Sequence, residues 1–267
     1  MKKFIETLNS SAGIYSVRVN WLWGISFLGS YAFILDTSPG KGILVIDTGC
    51  RGSGKIIADA MKDIGLSPAD IKGIALSHWH RDHTGGAAEL LSIAREEGAS
   101  GIRVFIHKDD SKYFPGGSSA FIRFHPFLKI PMHHSQGQIP DRGLCEFVEL
   151  DEGSPVNPLI DWGLDFIHVP GHTPGSICFC HGETGSLFSG SGLALLDSGR
   201  VGIMSVFDDR AEQLASAERL AAMNFRYLYP AHLGIRKDPV PPDCRIPAGR
   251  ISVMDRIRGI RPLFRYR

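Results

Sequence analysis

Three histidines and one aspartate fall within six positions of the stretch SHWHRDHTGG, residues 77–86. The chain has 11 histidines among 267 residues, so the pattern H-x-H-x-D-H arises by chance in on the order of one chain in a thousand. Imidazole nitrogens and carboxylate oxygens are ligands for Zn²⁺, Fe and Mn, whereas a closed structural zinc site uses thiolates. Because this stretch has no cysteine, it predicts a metal site that can do chemistry.

The spacing within this stretch predicts two neighbouring metal ions. His78 and His80 lie two apart in extended backbone, point the same way and can bind one ion. Asp82 and His83 follow in the turn and can bind a second ion close to the first. A hydrolytic zinc site needs three protein ligands and an open position. Each pair therefore requires a further ligand from another part of the chain.

Two distant histidines meet that requirement. His172 lies in VPGHTPGS, where glycine and proline allow a tight exposed turn, and His232 ends the strand-like segment YLYPAH. We predict that His172 completes the group of His78 and His80, and that His232 completes the group of Asp82 and His83. Five of the 11 histidines then lie at the ends of predicted strands, on one rim of the molecule.

The rest of the chain alternates between strand-like and helix-like segments, which predicts an α/β fold. Predicted strands are rich in β-branched and aromatic residues; they are SVRVNWL, SYAFIL, KGILVIDTG, IKGIALSH, IRVFIH, CEFVEL, LDFIHVP, SICFCH, SLFSG and FRYLYPAH. Helical spacing occurs in GKIIADAMKDIGL, GGAAELLSIAREEGA, RAEQLASAERLAAM and AGRISVMDRIRG. Thr84 is predicted to cap the second of these helices, and Asp208 or Asp209 the third.

Three segments have other predicted roles within a single domain of residues 1–267. Residues 111–143, rich in glycine and proline, are predicted to be irregular and to flank the active site. Trp21, Trp23 and Phe27 are candidate pocket residues, with sheet packing as the alternative. The basic tail 247–267 is interpreted as a solvated end or a contact between copies in a homo-oligomer, in preference to a phosphate-binding track.

The composition is that of an ordinary globular protein, with 43% hydrophobic and 21% charged residues. A net charge of +1 does not argue for nucleic acid or an anionic membrane as a partner. The expected partner is a small-molecule substrate. No apolar run is long enough to predict a membrane span. Glu6, Asn9 and Ser10 interrupt the N-terminal segment, so no signal peptide is predicted. With five scattered cysteines, the expected location is the cytoplasm, where thiols stay reduced.

The motifs SHWHRDHTGG, GHTPGS, LFSG and PAH, preceded by LVIDTG, together resemble the metallo-β-lactamase superfamily over residues 15–235. The resemblance implies a four-layer αβ/βα sandwich with the metals at one sheet edge. It implies the two ligand groups given above, and Asp82 as a catalytic residue that also orients the nucleophile. It further suggests Asp47, in IDTG, as a carboxylate that orients the ligand loop, with turn capping as an equal alternative.

The sequence departs from the family pattern at Ser191. Most members have an aspartate after LF-[ST]-G that bridges the two metals, whereas LFSGSGL places Ser191 there and Asp197 lies too far along to replace it. One branch of the true metallo-β-lactamases also has serine at this position and binds two zinc ions. Because one carboxylate is missing, we predict a more electropositive site, a weaker second ion and a preference for anionic substrates.

These features predict a metal-dependent hydrolase in which a zinc-bound hydroxide attacks the carbonyl of a small ester, lactone, thioester or amide. Iron and manganese are the alternative metals. β-Lactamase activity, phosphodiesterase activity and mono-iron sulfur dioxygenase activity on the same fold stay open as alternatives, as does a non-catalytic metal- or nucleic-acid-binding role. The missing carboxylate at Ser191 counts against the iron enzyme.

Overall fold

The structure is a computed structural model. It describes residues 5–19, 30–113, 119–125, 128–133, 142–195, 201–204, 206–232, 234–235 and 238–240. The predicted pocket residues Trp21, Trp23 and Phe27 lie outside these residues, as do Asp197, the predicted last helix and the basic tail.

Ten of the fifteen strands among the described residues match predicted ones, whereas β1, β7, β8, β13 and β14 were not predicted. In chain order they are β1 (Ile5–Asn9), β2 (Ile14–Val19), β3 (Ser30–Leu35), β4 (Ile43–Ile46), β5 (Ile71–Ala75), β6 (Arg103–His107), β7 (Ser119–His125), β8 (Leu128–His133), β9 (Glu146–Leu150), β10 (Leu164–His168), β11 (Ile177–His181), β12 (Ser186–Gly190), β13 (Ala194–Leu195), β14 (Val201–Gly202) and β15 (Tyr227–Pro230).

Two main sheets contain eleven of these strands. The larger sheet has the order β1-β2-β3-β4-β5-β6-β9, and the smaller has the order β10-β11-β12-β15. Strands β4, β5, β6 and β9 run parallel to one another, as do β12 and β15. The residues of β4 are all buried, as expected for a parallel strand covered on both faces. The loops after parallel strands meet at one edge of each sheet, and this edge carries the predicted site.

Five α-helices occur among the described residues: α1 (Ser53–Asp63), α2 (Arg81–Thr84), α3 (Ala87–Glu96), α4 (Lys108–Ser111) and α5 (Arg210–Ala222). Asp209 caps α5 as predicted, because its carboxylate accepts from the backbone N–H groups of Ala211 and Glu212. The predicted cap at Thr84 is wrong. Gly86 is the N-cap of α3, and the Thr84 hydroxyl instead donates back to the carbonyls of Trp79 and His80.

The packing forms four layers, α-β-β-α, which confirms the predicted sandwich. Between the sheets lies a cluster of large buried side chains that includes Phe33, Phe105, Phe179, Phe188 and Tyr229. Each such side chain stabilises the fold by roughly 1.5–3 kcal/mol. Helices α1 and α3 cover the outer face of the larger sheet, and α5 covers that of the smaller sheet.

Segment 111–143 is more regular than predicted. It contains the antiparallel hairpin of β7 and β8, in which Ser119 pairs with His133 and His125 with Leu128. Alternating apolar residues in SAFIRFH and LKIPMH favour strands, and the flanking glycines and prolines concealed this pattern. Pro131 is compatible with a two-stranded sheet, because within the described residues each of the two strands pairs on one side only.

Candidate metal centre

The loop that carries the histidine motif begins where β5 ends, at Ala75, three residues earlier than predicted. Backbone hydrogen bonds fix both ends of this loop. Ser77 O accepts from Ile177 of the smaller sheet at 2.9 Å, and His83 O accepts from Thr48 N at 2.7 Å. Gly86 permits the second contact, because a Cβ there would lie 2.2 Å from Thr48 O. The motif is therefore held between the two sheets.

His78, His80 and His172 meet as predicted, and their ring nitrogens form a triangle. The distances are 3.1 Å from His78 Nε2 to His80 Nδ1, 3.1 Å from His78 Nε2 to His172 Nε2, and 3.0 Å from His80 Nδ1 to His172 Nε2. All three side chains are buried. We call these residues the three-histidine group.

The opposite ring nitrogens show that lone pairs point into this triangle. His172 Nδ1 donates to the Val206 carbonyl at 2.8 Å, so His172 Nε2 presents a lone pair. The Ser77 hydroxyl donates to Asp47 and therefore accepts from His78 Nδ1 at 3.0 Å, so His78 Nε2 also presents a lone pair. Two acceptors 3.1 Å apart repel each other unless a cation lies between them.

Burial keeps His78 and His172 neutral. It lowers the pKa of His78 well below 6.5, and the nearby charges of His83, His80 and His172 lower it further. Burial lowers the pKa of His172 to about 4, although its hydrogen bond to Val206 acts in the opposite direction. Neutral imidazole is the form that binds metal ions. The three-histidine group therefore suits a metal ion better than a proton at neutral pH.

Asp82, His83 and His232 form a second group beside the first. His83 Nε2 and His232 Nε2 are 3.1 Å apart, and Asp82 Oδ2 lies 3.6 and 3.5 Å from these two nitrogens. The ring centroids of His78 and His83 are 3.9 Å apart, so the two groups adjoin. We call these residues the aspartate-histidine group.

The electrostatics of the aspartate-histidine group favour positive charge. Burial opposes the charged forms of both Asp82 and His83, but their neighbours outweigh it. The charges of His83, His232 and His80 lower the pKa of Asp82. The carboxylates of Asp47 and Asp82 raise the pKa of His83. A proton or a metal cation can supply that positive charge.

Asp47 orients residues of the motif through three hydrogen bonds. Its carboxylate accepts from Ser77 N and Ser77 Oγ, each at 2.8 Å, and from His83 Nδ1 at 2.7 Å. These bonds leave His83 Nε2 facing the aspartate-histidine group. Asp47 also has a φ of 56°, a left-handed conformation that costs energy outside glycine. Such strain is typical of a residue whose position matters to a site.

Ser191 directly follows β12, in a segment that is hydrogen-bonded to the one that carries His232. Its neighbour Gly190 accepts from Ala231 N at 3.0 Å, and Ala231 precedes His232. The Ser191 side chain is buried, and its hydroxyl has no hydrogen-bond partner among the described residues. An orphaned buried hydroxyl is costly, so this atom fits a site whose occupant supplies the missing partner.

A third cluster was not predicted from the sequence. His107, Glu152 and His168 each bring a ligand-type atom within 4.8 Å of the others, and the two rings stack 4.0 Å apart. His107 Nδ1 accepts from Asp109 N, so His107 Nε2 carries the proton that it donates to Glu152 at 3.1 Å. His168 Nε2 donates to Pro174 O at 2.7 Å, and its Nδ1 is 2.7 Å from Glu152. We call these residues the clamp cluster.

The sequence of most of the chain, as well as the site, identifies the protein family. The model of the metallo-beta-lactamase superfamily matches residues 25–232. The chain belongs to the metallo-beta-lactamase superfamily. A crystal structure of a subclass B3 metallo-beta-lactamase from a soil metagenome library superposes with a TM-score of 0.56 at 22% identity, covering 83% of this chain and 77% of that one. At this identity, the similarity shows the shared fold.

Curated relatives within the superfamily are distant. An atrochrysone carboxyl ACP thioesterase from Passalora fulva is 26% identical over 78% of this chain and 49% of its own length. A hydroxyacylglutathione hydrolase from Aeromonas salmonicida (strain A449) is 28% identical over 80% of this chain and 68% of its own length. This chain spans 53%, 61% and 49% of the length of three fungal and insect relatives.

Among the residues that the structure describes, no helix is both long and apolar enough to cross a membrane.

Proposed function

We propose that the protein is a metal-dependent hydrolase that cleaves a small ester, lactone, thioester or amide. The observation that carries this proposal is the convergence of ring-nitrogen lone pairs in the three-histidine group, where the hydrogen bonds of the opposite nitrogens exclude a proton from at least two positions. The adjoining aspartate-histidine group adds a carboxylate. A metal ion bound to these nitrogens would remove the repulsion between the facing lone pairs.

The donor atoms of the two groups fit zinc. In the proposal, His78, His80 and His172 hold one ion, and Asp82, His83 and His232 hold the other. Nitrogen-rich ligand sets with a carboxylate suit zinc, although they also accept iron and manganese. Divalent ions held there would lower the pKa of water towards neutrality and polarise a carbonyl group.

The chain's own residues supply orientation and proton handling. Asp82 is one-third exposed, so its carboxylate can face substrate as well as the aspartate-histidine group. Its lowered pKa keeps it ionised, which suits a group that accepts a hydrogen bond and orients the attacking nucleophile. Asp47 fixes the tautomer of His83 through the hydrogen bond to Nδ1.

Ser191 supports a finer proposal about the second ion and the substrate. Serine at this position supplies a hydroxyl where a carboxylate would supply a negative charge. The aspartate-histidine group then has one charged ligand, Asp82, and binds its ion more weakly than the three-histidine group does. The uncompensated positive charge favours substrates that carry an anionic group near the scissile bond.

The substrate class is supported by the names of two relatives. One is named a thioesterase and the other a hydroxyacylglutathione hydrolase, and both names denote hydrolysis of an acyl compound. The proposal extends that reaction class to this chain, without the individual substrates.

The test is a substrate panel on the purified protein loaded with zinc. The panel contains a thioester, a lactone, nitrocefin and a bis-aryl phosphate, with the metal content measured in parallel. We expect acyl hydrolysis that is lost together with bound metal in His78→Ala and kept in His181→Ala, a buried histidine at the opposite edge of the smaller sheet. Turnover that persists in His78→Ala would contradict the proposal. Preference for the phosphate would favour a phosphodiesterase, and iron in the purified protein would favour the dioxygenase.

A further inference from the structure

A buried carboxylate outside both groups connects the loops of the three-histidine group. Asp110 lies in α4, directly after β6, and its side chain is fully buried. It accepts from Trp79 N at 3.0 Å, from Thr173 Oγ1 at 2.7 Å and from Gly175 N at 2.7 Å. Trp79 lies between His78 and His80, and Thr173 follows His172. Asp110 therefore contacts both loops that carry this group.

One oxygen of Asp110 joins the two loops directly. Oδ2 accepts from Trp79 N of the first loop and from Thr173 Oγ1 of the second, whereas Oδ1 accepts from Gly175 N. All three partners are hydrogen-bond donors, so both terminal side-chain atoms of residue 110 must be acceptors. A carboxylate satisfies this requirement and an amide does not, because the amide nitrogen would face an N–H group.

Gly175 is shaped for this carboxylate. A Cβ at position 175 would lie 2.6 Å from Asp110 N and 2.7 Å from Asp110 Cγ, so any larger residue would displace one of the two segments. The second loop is also braced internally, since Thr173 N donates to Ser176 Oγ at 3.0 Å. Displacement of Asp110 would thus be transmitted to the backbone next to His172.

Asp110 is retained at an energetic cost. Burial raises its pKa to about 6, although the hydrogen bonds from Thr173, Gly175 and Trp79 lower it. The carboxyl is still ionised at neutral pH, which is the form that accepts all three hydrogen bonds. The three hydrogen bonds that hold this buried charge all come from the two loops of the three-histidine group.

We propose that Asp110 is a positioning residue of the three-histidine group: it holds the loop of His78 and His80 in register with the loop of His172 and so sets the metal affinity of that group without contacting the ion. This inference rests on the proposed function. Residues that orient metal ligands typically change metal affinity by about 10- to 100-fold. Asp110 would do so through the backbone of both loops at once.

The experiment measures zinc affinity and stability separately. Zinc is titrated against a chromophoric chelator, and urea unfolding of the metal-free protein is measured for the same variants. We expect Asp110→Asn to weaken the tighter zinc site by about 10- to 100-fold. We expect a smaller loss in Thr173→Val, which removes one donor, and recovery in Thr173→Ser, which restores the hydroxyl.

A remote variant is the matched control for stability. Thr37→Val removes a partly buried hydrogen bond from the Thr37 hydroxyl to Trp162 O, at the sheet edge opposite the three-histidine group. We expect this variant to have a lower free energy of unfolding in urea and an unchanged zinc affinity. If Asp110→Asn and Thr173→Val bind zinc as tightly as the wild type does, the inference about Asp110 is overturned, and the proposed function is not affected. An equal loss of affinity in Thr37→Val would also overturn the inference. A wild-type protein that binds no zinc would overturn the proposed function itself. If Asp110→Asn does not fold, the comparison of zinc affinity between Thr173→Val and Thr173→Ser tests the inference instead.

Discussion

The three-histidine group and the clamp cluster contain similar side chains, yet they differ in where their protons lie. In the three-histidine group, hydrogen bonds to the outer ring nitrogens of His78 and His172 leave lone pairs that face each other at 3.1 Å, and His80 Nδ1 lies 3.1 and 3.0 Å from these two atoms. In the clamp cluster, the Glu152 carboxylate lies between two rings. His107 Nε2 donates to it, and His168 Nδ1 lies 2.7 Å from it while His168 Nε2 donates to Pro174 O. The first arrangement suits a cation bound by lone pairs, whereas in the second a ring proton already faces the carboxylate.

Proximity and residue type alone do not define a metal site. The decisive feature is the partner of the ring nitrogen that points away. A carbonyl there turns the lone pair inward, as Val206 does for His172. A backbone N–H there turns the proton inward, as Asp109 does for His107. His168 has a carbonyl on its outer nitrogen, since its Nε2 donates to Pro174 O, so the inward proton of His107 is what distinguishes the clamp cluster. Because of this proton we expect metal at the first cluster and none at the clamp cluster, which joins β6 of one sheet to β10 of the other.

The largest expected effect is the loss of zinc-dependent stability in His172→Ala. Saturating zinc, at about a thousand times its dissociation constant, should stabilise the wild type by about 4 kcal/mol. His172→Ala should lose most of this stabilisation, whereas His168→Ala should keep it. Urea unfolding with and without zinc measures both. If the two variants lose the zinc-dependent stabilisation to the same extent, the proposed difference between the three-histidine group and the clamp cluster is wrong.

The next largest effect on stability is expected for substitutions of Asp47. Its hydrogen bonds fix the histidine tautomers on which the comparison of the two clusters depends. Asp47→Ala removes three buried hydrogen bonds and should lower the unfolding free energy of the metal-free protein by about 3 kcal/mol. Asp47→Asn should lose less, since asparagine tolerates the left-handed backbone and still accepts from Ser77. Chemical unfolding of both variants checks this order, and a larger loss in Asp47→Asn would refute it.

Ser191→Asp should sharpen the contrast between the two candidate ions. The added carboxylate should tighten the weaker zinc site on the order of tenfold, with little change in the tighter site. Ser191→Asn, which is similar in size and uncharged, is the control and should not reproduce the gain. Dialysis followed by metal analysis measures the effect. Two zinc equivalents that already resist exhaustive dialysis in the wild type would show that the second site is not weak.

The smallest expected effect is in the clamp cluster. Glu152→Gln replaces one acceptor by a donor and should lower the unfolding free energy by about 1 kcal/mol or less, because Glu152 is 41% exposed. Burial raises the pKa of Glu152, but hydrogen bonds from its own backbone and from His107, together with the charge of His168, lower it overall.

The sign of the pH dependence follows from this lowered pKa. A carboxylate whose pKa is lower in the folded state contributes stability above its unfolded value of 4.5, and this contribution is lost as the pH falls further. The gap between wild type and Glu152→Gln should therefore narrow below pH 4.5. Urea unfolding at several pH values measures the gap, while zinc content should be the same in both proteins. A gap that widens on acidification would contradict the assigned ion pair.

The sequence was sufficient for the fold and for the membership of the two groups. Alternating and continuous apolar runs predicted the main strands, and a histidine or aspartate after several of these strands predicted one functional edge. Spacing alone could not predict where β5 ends, because Ser77, after Ala75, donates to Asp47 and accepts from Ile177, and both partners are distant in sequence.

The clamp cluster and Asp110 escaped prediction for a related reason. His107 and His168 do follow strand-like segments, so the same strand-end argument could have included them. Glu152 and Asp110 lie among other acidic residues, in LDEG and HKDDS, where nothing in the spacing singles them out. Their roles depend on which backbone N–H groups and rings the fold brings to them, and only the structure provides that information.

Anomalous scattering at the zinc absorption edge tests the central claim most directly. Crystals of the zinc-loaded protein should show a strong anomalous peak among His78, His80 and His172 and a second, weaker peak among Asp82, His83 and His232. No peak should occur between His107, Glu152 and His168. A peak at this clamp cluster, or none at the three-histidine group, would contradict the account.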